Sequence, residues 1–182
     1  TDSATIGLDY GRSGWFERVR DTGTVQVDEV EIHESNNKIE SIAFTAPIVN
    51  ASGQFLGAVT TRIGLPMLED VLIETVREIQ QTEGAAGPFE YQFLTKAGVV
   101  FVDSASAAVE RTNLRELGLP SVLLSGSGKA GYVEEMHVRR RVPVVTGYSQ
   151  TKGYSEYSGL QWTILLRNFH FVDVVAVDAE VL

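Results

Sequence analysis

The 182 residues contain no cysteine, only three histidines, five prolines and no long run of apolar side chains. Without cysteine there is no disulfide scaffold, no thiolate zinc site, no iron–sulfur cluster and no cysteine nucleophile. The redox compartment stays open, since a chain without thiols suits either side of a membrane. No stretch reaches the roughly 18 apolar residues of a membrane helix; Leu160–Leu166 and Val174–Val177 have the length of strands or helix faces. Positive charge is also scarce. Fifteen Lys and Arg against 24 Asp and Glu leave a net charge of −9, which argues against a nucleic-acid partner. What is present, 43% hydrophobic and 21% charged residues, is the composition of a folded chain with a buried core. Its length suits one ordinary domain or two small ones. It begins Thr1-Asp2-Ser3, with neither an initiator Met nor a signal peptide, and so is expected to be a mature product or an excised piece.

Along the chain, Trp15, Phe16 and Val19 fall on one side of a short helix stopped by Thr22-Gly23. Three strands are expected next, Thr24–Ile32, Ile39–Val49 and Phe55–Ile63, separated by Ser35-Asn36-Asn37-Lys38 and Asn50-Ala51-Ser52-Gly53. The period then changes from two to about 3.6. Leu65, Leu68, Leu72, Val76 and Ile79 form one stripe, which predicts a helix from Leu65 to Thr82 with Pro66 in its first turn. A second β unit follows: Phe89–Thr95 and Val99–Asp103 across the tight turn Lys96-Ala97-Gly98. Short helical pieces between Ser104 and Ser125, with a cap at Asn113 and breaks at Gly118 and Pro120, lead to strands Gly131–Val138, Val142–Gln150 and Gly159–Arg167. The order suggests two related modules, the first lacking its beginning.

Several motifs fail on inspection. Gly126-Ser127-Gly128-Lys129-Ala130-Gly131 matches the dinucleotide pattern literally, but a strand, not a helix, is expected after it, so no helix N-terminus would meet a pyrophosphate. As a P-loop it has Ala130 where Ser or Thr must bind magnesium. His33, His137 and His170 share no metal-ligand spacing, and no nucleophile elbow is present. Arg139-Arg140-Arg141 is expected to be a solvated hairpin, with acidic lipid headgroups as its other reading. Asn50-Ala51-Ser52 satisfies the glycosylation pattern, but a hairpin turn already explains it. No enzyme, metal site or cofactor is expected; a small hydrolase would need a convergent nucleophile and base.

Two stretches, Asp9-Tyr10-Gly11-Arg12-Ser13-Gly14-Trp15-Phe16-Glu17-Arg18-Val19 and Ile42-Ala43-Phe44-Thr45-Ala46-Pro47-Ile48-Val49 continuing to Val59, resemble the Cache sensor family in its double-module form. Phe93–Gly98, Gly147-Tyr148-Ser149 and Gly159-Leu160-Gln161-Trp162-Thr163 look like the first hairpin and last strands of the membrane-proximal module. The resemblance implies an α+β fold: a PAS-like antiparallel five-stranded sheet module behind a long helix, preceded by part of a second PAS-like module. Residues 1–64 would be the partial membrane-distal module, 65–82 the connecting helix, and 83–182 the proximal module and C-terminal tail. It also implies the periplasmic, ligand-sensing part of a bacterial transmembrane receptor: a chemoreceptor, histidine kinase or cyclic-dinucleotide enzyme. A long helix and two strands would precede Thr1. Membrane segments would flank the chain, and Thr1 would be a cut edge.

In the family's amino-acid-binding subgroup an Arg near the Trp holds the carboxylate, while Tyr and Asp residues hold the amine. The expected ligand set here is Tyr10, Arg12, Trp15, Phe16, Asp28 and Arg62. Arg12 can grip a carboxylate bidentately and Trp15 can wall the pocket. Two departures stand out: Arg12 and Trp15 are three apart rather than two, and Arg62 occupies the expected place of the amine-binding Asp. An Arg accepts no hydrogen bond from an ammonium, so an anionic ligand such as an organic acid is expected, or no ligand in the distal module at all. The plainer readings stay open: Trp15 as core, Arg12 paired with Asp9 or Asp28, Arg62 on a solvent face. Tyr132, Tyr148 and Trp162 are expected to be packing residues. Homodimerisation along the long helix is a further expectation, and a protein-interaction module without a small-molecule pocket is the alternative function.

Overall fold

The computed structural model describes residues 6–32, 40–82, 88–106, 111–153 and 159–169. The chain forms two compact units, Thr1–Glu83 with Lys152–Leu160, and Gly84–Thr151 with Gln161–Leu182. His33 and His170, the Ser35–Lys38 turn and the tail beyond Phe169 lie outside the described residues.

In the first unit, α1 (Gly14–Thr22) ends because Gly23 takes up a left-handed conformation, φ 65°, and donates its N–H to the Val19 carbonyl at 2.9 Å. The amphipathic side of α1 buries Val19 completely. Strands β1 (Gln26–Ile32), β2 (Glu40–Val49) and β3 (Phe55–Gly64) form an antiparallel meander with β2 in the middle. The β2–β3 turn is closed by one side chain. Asn50 Oδ1 accepts from the Ser52 and Gln54 N–H groups at 3.0 and 2.8 Å. Consecutive residues Ser41, Ile42 and Ala43 of β2 are all buried, so this central strand is covered on both faces. Helix α2 (Leu65–Thr82) occupies the predicted span, with Leu65 and Leu72 buried and Leu68, Val76 and Ile79 half-buried.

The second unit is the five-stranded antiparallel sheet expected of a PAS-like module. Strands β4 (Phe89–Leu94), β5 (Val100–Asp103), β6 (Gly131–Met136), β7 (Pro143–Gln150) and β8 (Thr163–Asn168) run in the order β5-β4-β8-β7-β6. Gly98 makes the β4–β5 turn possible: its φ is +92°, and a Cβ there would lie 2.5 Å from Arg115 Cβ. Helix α3 (Pro120–Ser125) precedes β6, as α1 precedes β1. Pro120 therefore starts a helix rather than breaking one, since the first helical position needs no N–H. In both units a short helix leads into a three-strand antiparallel meander.

Alternation along the strands gives the second sheet two different faces. On one, Leu94, Val100 and Leu165 pack with Leu114, Leu119 and Val122, with Val138 and Tyr148 against them. On the other, Phe93 stacks on Phe101, and Trp162 meets both rings edge-on. Strand β8 begins at Thr163, later than expected, because Gln161 has φ 55°, which an extended strand does not accommodate. Tyr132 is not a packing residue: it is 79% exposed. Among the described residues no helix is long and apolar enough to cross a membrane.

Candidate functional site

In the first unit, strand register places Asp28, Ala43 and Arg62 side by side across β1, β2 and β3. The next row on the same face is Gln26, Thr45 and Thr60, with the two threonine hydroxyls 3.0 Å apart. Helix α1 lies over this face, because Arg18 ion-pairs with Asp28 and the Phe16 ring meets Phe55 edge-on with centroids 5.6 Å apart. A sheet face covered by a helix is ordinarily apolar, since a buried polar group without a partner loses its solvation for nothing. Here two such atoms occur on one face: Ser41 Oγ and Arg62 Nε are buried with no hydrogen-bond partner among the described residues. Adjacent strands lie about 4.8 Å apart, so Asp28 and Arg62 stand roughly 10 Å apart across the short Ala43 side chain.

The six expected residues are only partly brought together. Tyr10, Trp15 and Phe16 form a ladder of rings at 5.6 and 5.7 Å, half-buried except for Tyr10 at the exposed end. Asp28 and Arg62 share a row of the covered face, so Arg62 is not on a solvent face. Arg12 sits exposed on the turn before α1 and makes no hydrogen bond with any described residue. Neither aspartate pairs with Arg12: Asp9 accepts the Gly11 N–H at 2.8 Å, and Asp28 pairs with Arg18. Sequence reasoning missed Arg18, although it lies on the same helical side as Trp15, three residues on.

It also missed a charged cluster in the second unit. Glu90, Gln92, Asp103, Glu135, His137 and Arg167 are all buried there. Gln92 donates to Asp103 at 2.7 Å and accepts from Arg167 at 2.5 Å. Glu135 accepts the Ser121 N–H and hydroxyl at 2.9 and 2.8 Å. The Arg139-Arg140-Arg141 run is a hairpin loop as expected, closed by His137 N–H to Val142 O at 2.8 Å. It is not merely solvated, however. Arg139 turns back to pair with Asp103, and Arg140 with Glu90, because those buried carboxylates need counter-charge. Among the described residues no group of three His, Asp or Glu side chains is arranged to hold a metal ion.

His137 is held neutral. Its Nδ1 accepts the Arg140 backbone N–H at 3.1 Å, so Nε2 carries the proton and donates to Glu90 at 3.0 Å. Burial, and then the charge of Arg167, push its pKa below the ordinary histidine value against the pull of Glu90. Unfolded, His137 binds a proton near pH 6.5; folded, it does so only at lower pH. Stability from this group is thus complete above about pH 6.5 and is lost as pH falls through the folded pKa. Denaturant melts at pH 7.5 and 5.5 are expected to show this loss, smaller in His137→Gln, which keeps a donor towards Glu90. Equal losses in the two proteins would exclude His137 as the source.

No protein-family model and no curated protein matches the chain, whereas solved structures do. The ligand-binding domain of the Pseudomonas aeruginosa PAO1 amino acid chemoreceptor PctC, in complex with GABA, aligns with TM-score 0.60 at 18% identity, over 90% of this chain and 64% of that one. The periplasmic sensory domain of the Campylobacter jejuni chemoreceptor Tlp1 aligns with TM-score 0.63 at 10% identity, over 87% and 55%. The extracellular domain assigned to a histidine kinase, mmHK1S-Z2, gives 0.55 at 14%, over 88% and 56%. The chain therefore has the fold of these sensory domains, as the Cache resemblance implied, and spans less than two thirds of their length.

Proposed function

We propose that the chain is the periplasmic ligand-sensing region of a bacterial transmembrane receptor, of the chemoreceptor or histidine-kinase kind, and that it binds a small organic anion on the α1-covered face of the first unit. Its role is binding rather than catalysis. Residues 1–64 act as a partial membrane-distal module, 65–82 as the connecting helix and 83–182 as the membrane-proximal module. The observation that carries the ligand class is the polar covered face. Arg18 satisfies Asp28, which leaves the Arg62 guanidinium without a counter-charge among the described residues and its own buried Nε unpartnered. An acceptor-rich anion supplies what this face lacks. Ligand binding would shift the balance between two conformations of the receptor. Homodimerisation along α2 belongs to the same reading, supported by the exposed Met67 and Val71 one turn apart on the helix.

Thermal-shift measurements on the receptor's complete extracytoplasmic region are the test, with succinate, malate and citrate at matched ionic strength. At least one acid is expected to raise the melting temperature saturably, with a stabilisation of about 2.7 kcal/mol at a hundredfold excess over Kd. Arg62→Gln is expected to abolish the response. No response to any of the three acids would sink the anion reading.

A further inference from the structure

We propose that the second unit contains a binding site of its own, for a small monocarboxylate with a short apolar body. The site is a cavity of about 220 Å³ between the sheet and the segment before α3, with Thr112, Arg139, Arg167, Val100, Leu114 and Val138 on its walls. At about 30 Å³ of liquid volume per water, that is space for roughly seven waters or a ligand of similar bulk.

The hydrogen bonding around the cavity selects the ligand's chemistry. The acceptors on its polar side are occupied. Asp103 takes the Gln92 amide at 2.7 Å, the Ala105 N–H at 3.0 Å and both terminal nitrogens of Arg139 at 3.0 Å. His137 is engaged at both ring nitrogens. The donors of Arg167 are under-used. Arg167 is 3% exposed, yet its only hydrogen bond among the described residues is from Nη1 to Gln92 Oε1. Its Nε lies 3.9 Å from Glu135, an ion pair beyond hydrogen-bond reach, and has no hydrogen-bond partner among the described residues. A guanidinium carries five N–H donors, and burying one with a single bond leaves a large demand for an acceptor. In the adjacent row position, Thr146 Oγ1 is likewise buried without a hydrogen-bond partner among the described residues. Thr112 adds a hydroxyl on the cavity wall. A carboxylate meets a guanidinium in two parallel hydrogen bonds, and Val100, Leu114 and Val138 offer an alkyl or aryl tail an apolar wall. Arg139, 41% exposed, stands at the solvent side of the cavity.

This site stands independently of the proposed first-unit site. The test is titration calorimetry and thermal shift of the receptor's extracytoplasmic region with acetate, butyrate and benzoate, against matched sodium chloride and butyramide. Saturable binding of at least one carboxylate is expected, with none of butyramide. Arg167→Lys, which keeps the charge and loses the fork, is expected to weaken binding at least about tenfold. Thr112→Val is expected to weaken it about threefold or more by removing one hydroxyl. Arg62→Gln is expected to leave it unchanged. The proposal is overturned if no carboxylate binds, if butyramide binds equally, or if Arg62→Gln rather than the second-unit variants abolishes the effect. If circular dichroism shows Arg167→Lys unfolded, unchanged binding in Thr112→Val overturns it.

Discussion

Arg167→Ala is expected to destabilise the second unit by about 3–5 kcal/mol, the usual cost of breaking a buried charge pair from one side. Glu135, Glu90 and Asp103 are buried on the same part of the sheet as Arg167. Removing the arginine leaves Glu135 facing only the N–H and hydroxyl of Ser121, and leaves Gln92 Oε1 without its donor. The size of the effect comes from carboxylates left without counter-charge, so it should shrink when the negative charge is removed as well. The pair Arg167→Met with Glu135→Gln keeps volume and keeps an acceptor for Ser121. It is expected to lose markedly less stability than Arg167→Ala alone. Urea denaturation of the three proteins measures both quantities. A loss under about 1 kcal/mol in Arg167→Ala would mean that water already reaches the guanidinium and screens these charges.

On the opposite face of the same sheet the dominant force is burial of aromatic surface. Phe101 is 1% exposed, stacked on Phe93 with centroids 5.7 Å apart and 15° between planes, and 4.7 Å from Trp162. Phe101→Ala removes one ring of a three-ring cluster with Phe93 and Trp162 and leaves a cavity against both. The expected cost is about 3–5 kcal/mol. Tyr132→Ala, at a residue 79% exposed, is expected to stay within about 0.5 kcal/mol of the parent. Chemical denaturation monitored by circular dichroism distinguishes the two. Comparable losses would contradict the burial assigned to either residue.

The elements were legible in the sequence wherever a pattern is local. The five-residue apolar stripe from Leu65 to Ile79 marks α2, and Gly23, Asn50 and Gly98 mark turns whose geometry their own side chains, or lack of one, dictate. The candidate sites were legible only in part. Alternation in β4 shows that Glu90 and Gln92 share one face and Phe89, Tyr91 and Phe93 the other. A polar set of this kind ordinarily faces water. Here both faces are covered, and the carboxylate of Glu90 lies inside because His137 and Arg140, some fifty residues away in the chain, supply its partners. Nothing near Glu90 in the sequence carries that information. Arg12 shows the converse: its proximity to Trp15 suggested a shared pocket, but the turn leaves it exposed.

Composition and period thus determined the strand and helix order and, through the order and spacing of short motifs, the resemblance to sensor domains that implied the α+β class. These depend on interactions within a few residues of each other, which the chain carries with it. Tertiary structure alone decided which polar side chains are buried, that Asp28 belongs to Arg18 rather than Arg12, and that Arg167 lines a cavity with its Nε unpartnered among the described residues. Those outcomes depend on sheet register and on contacts between distant segments. Moving a strand by one residue would turn every one of its side chains to the other face.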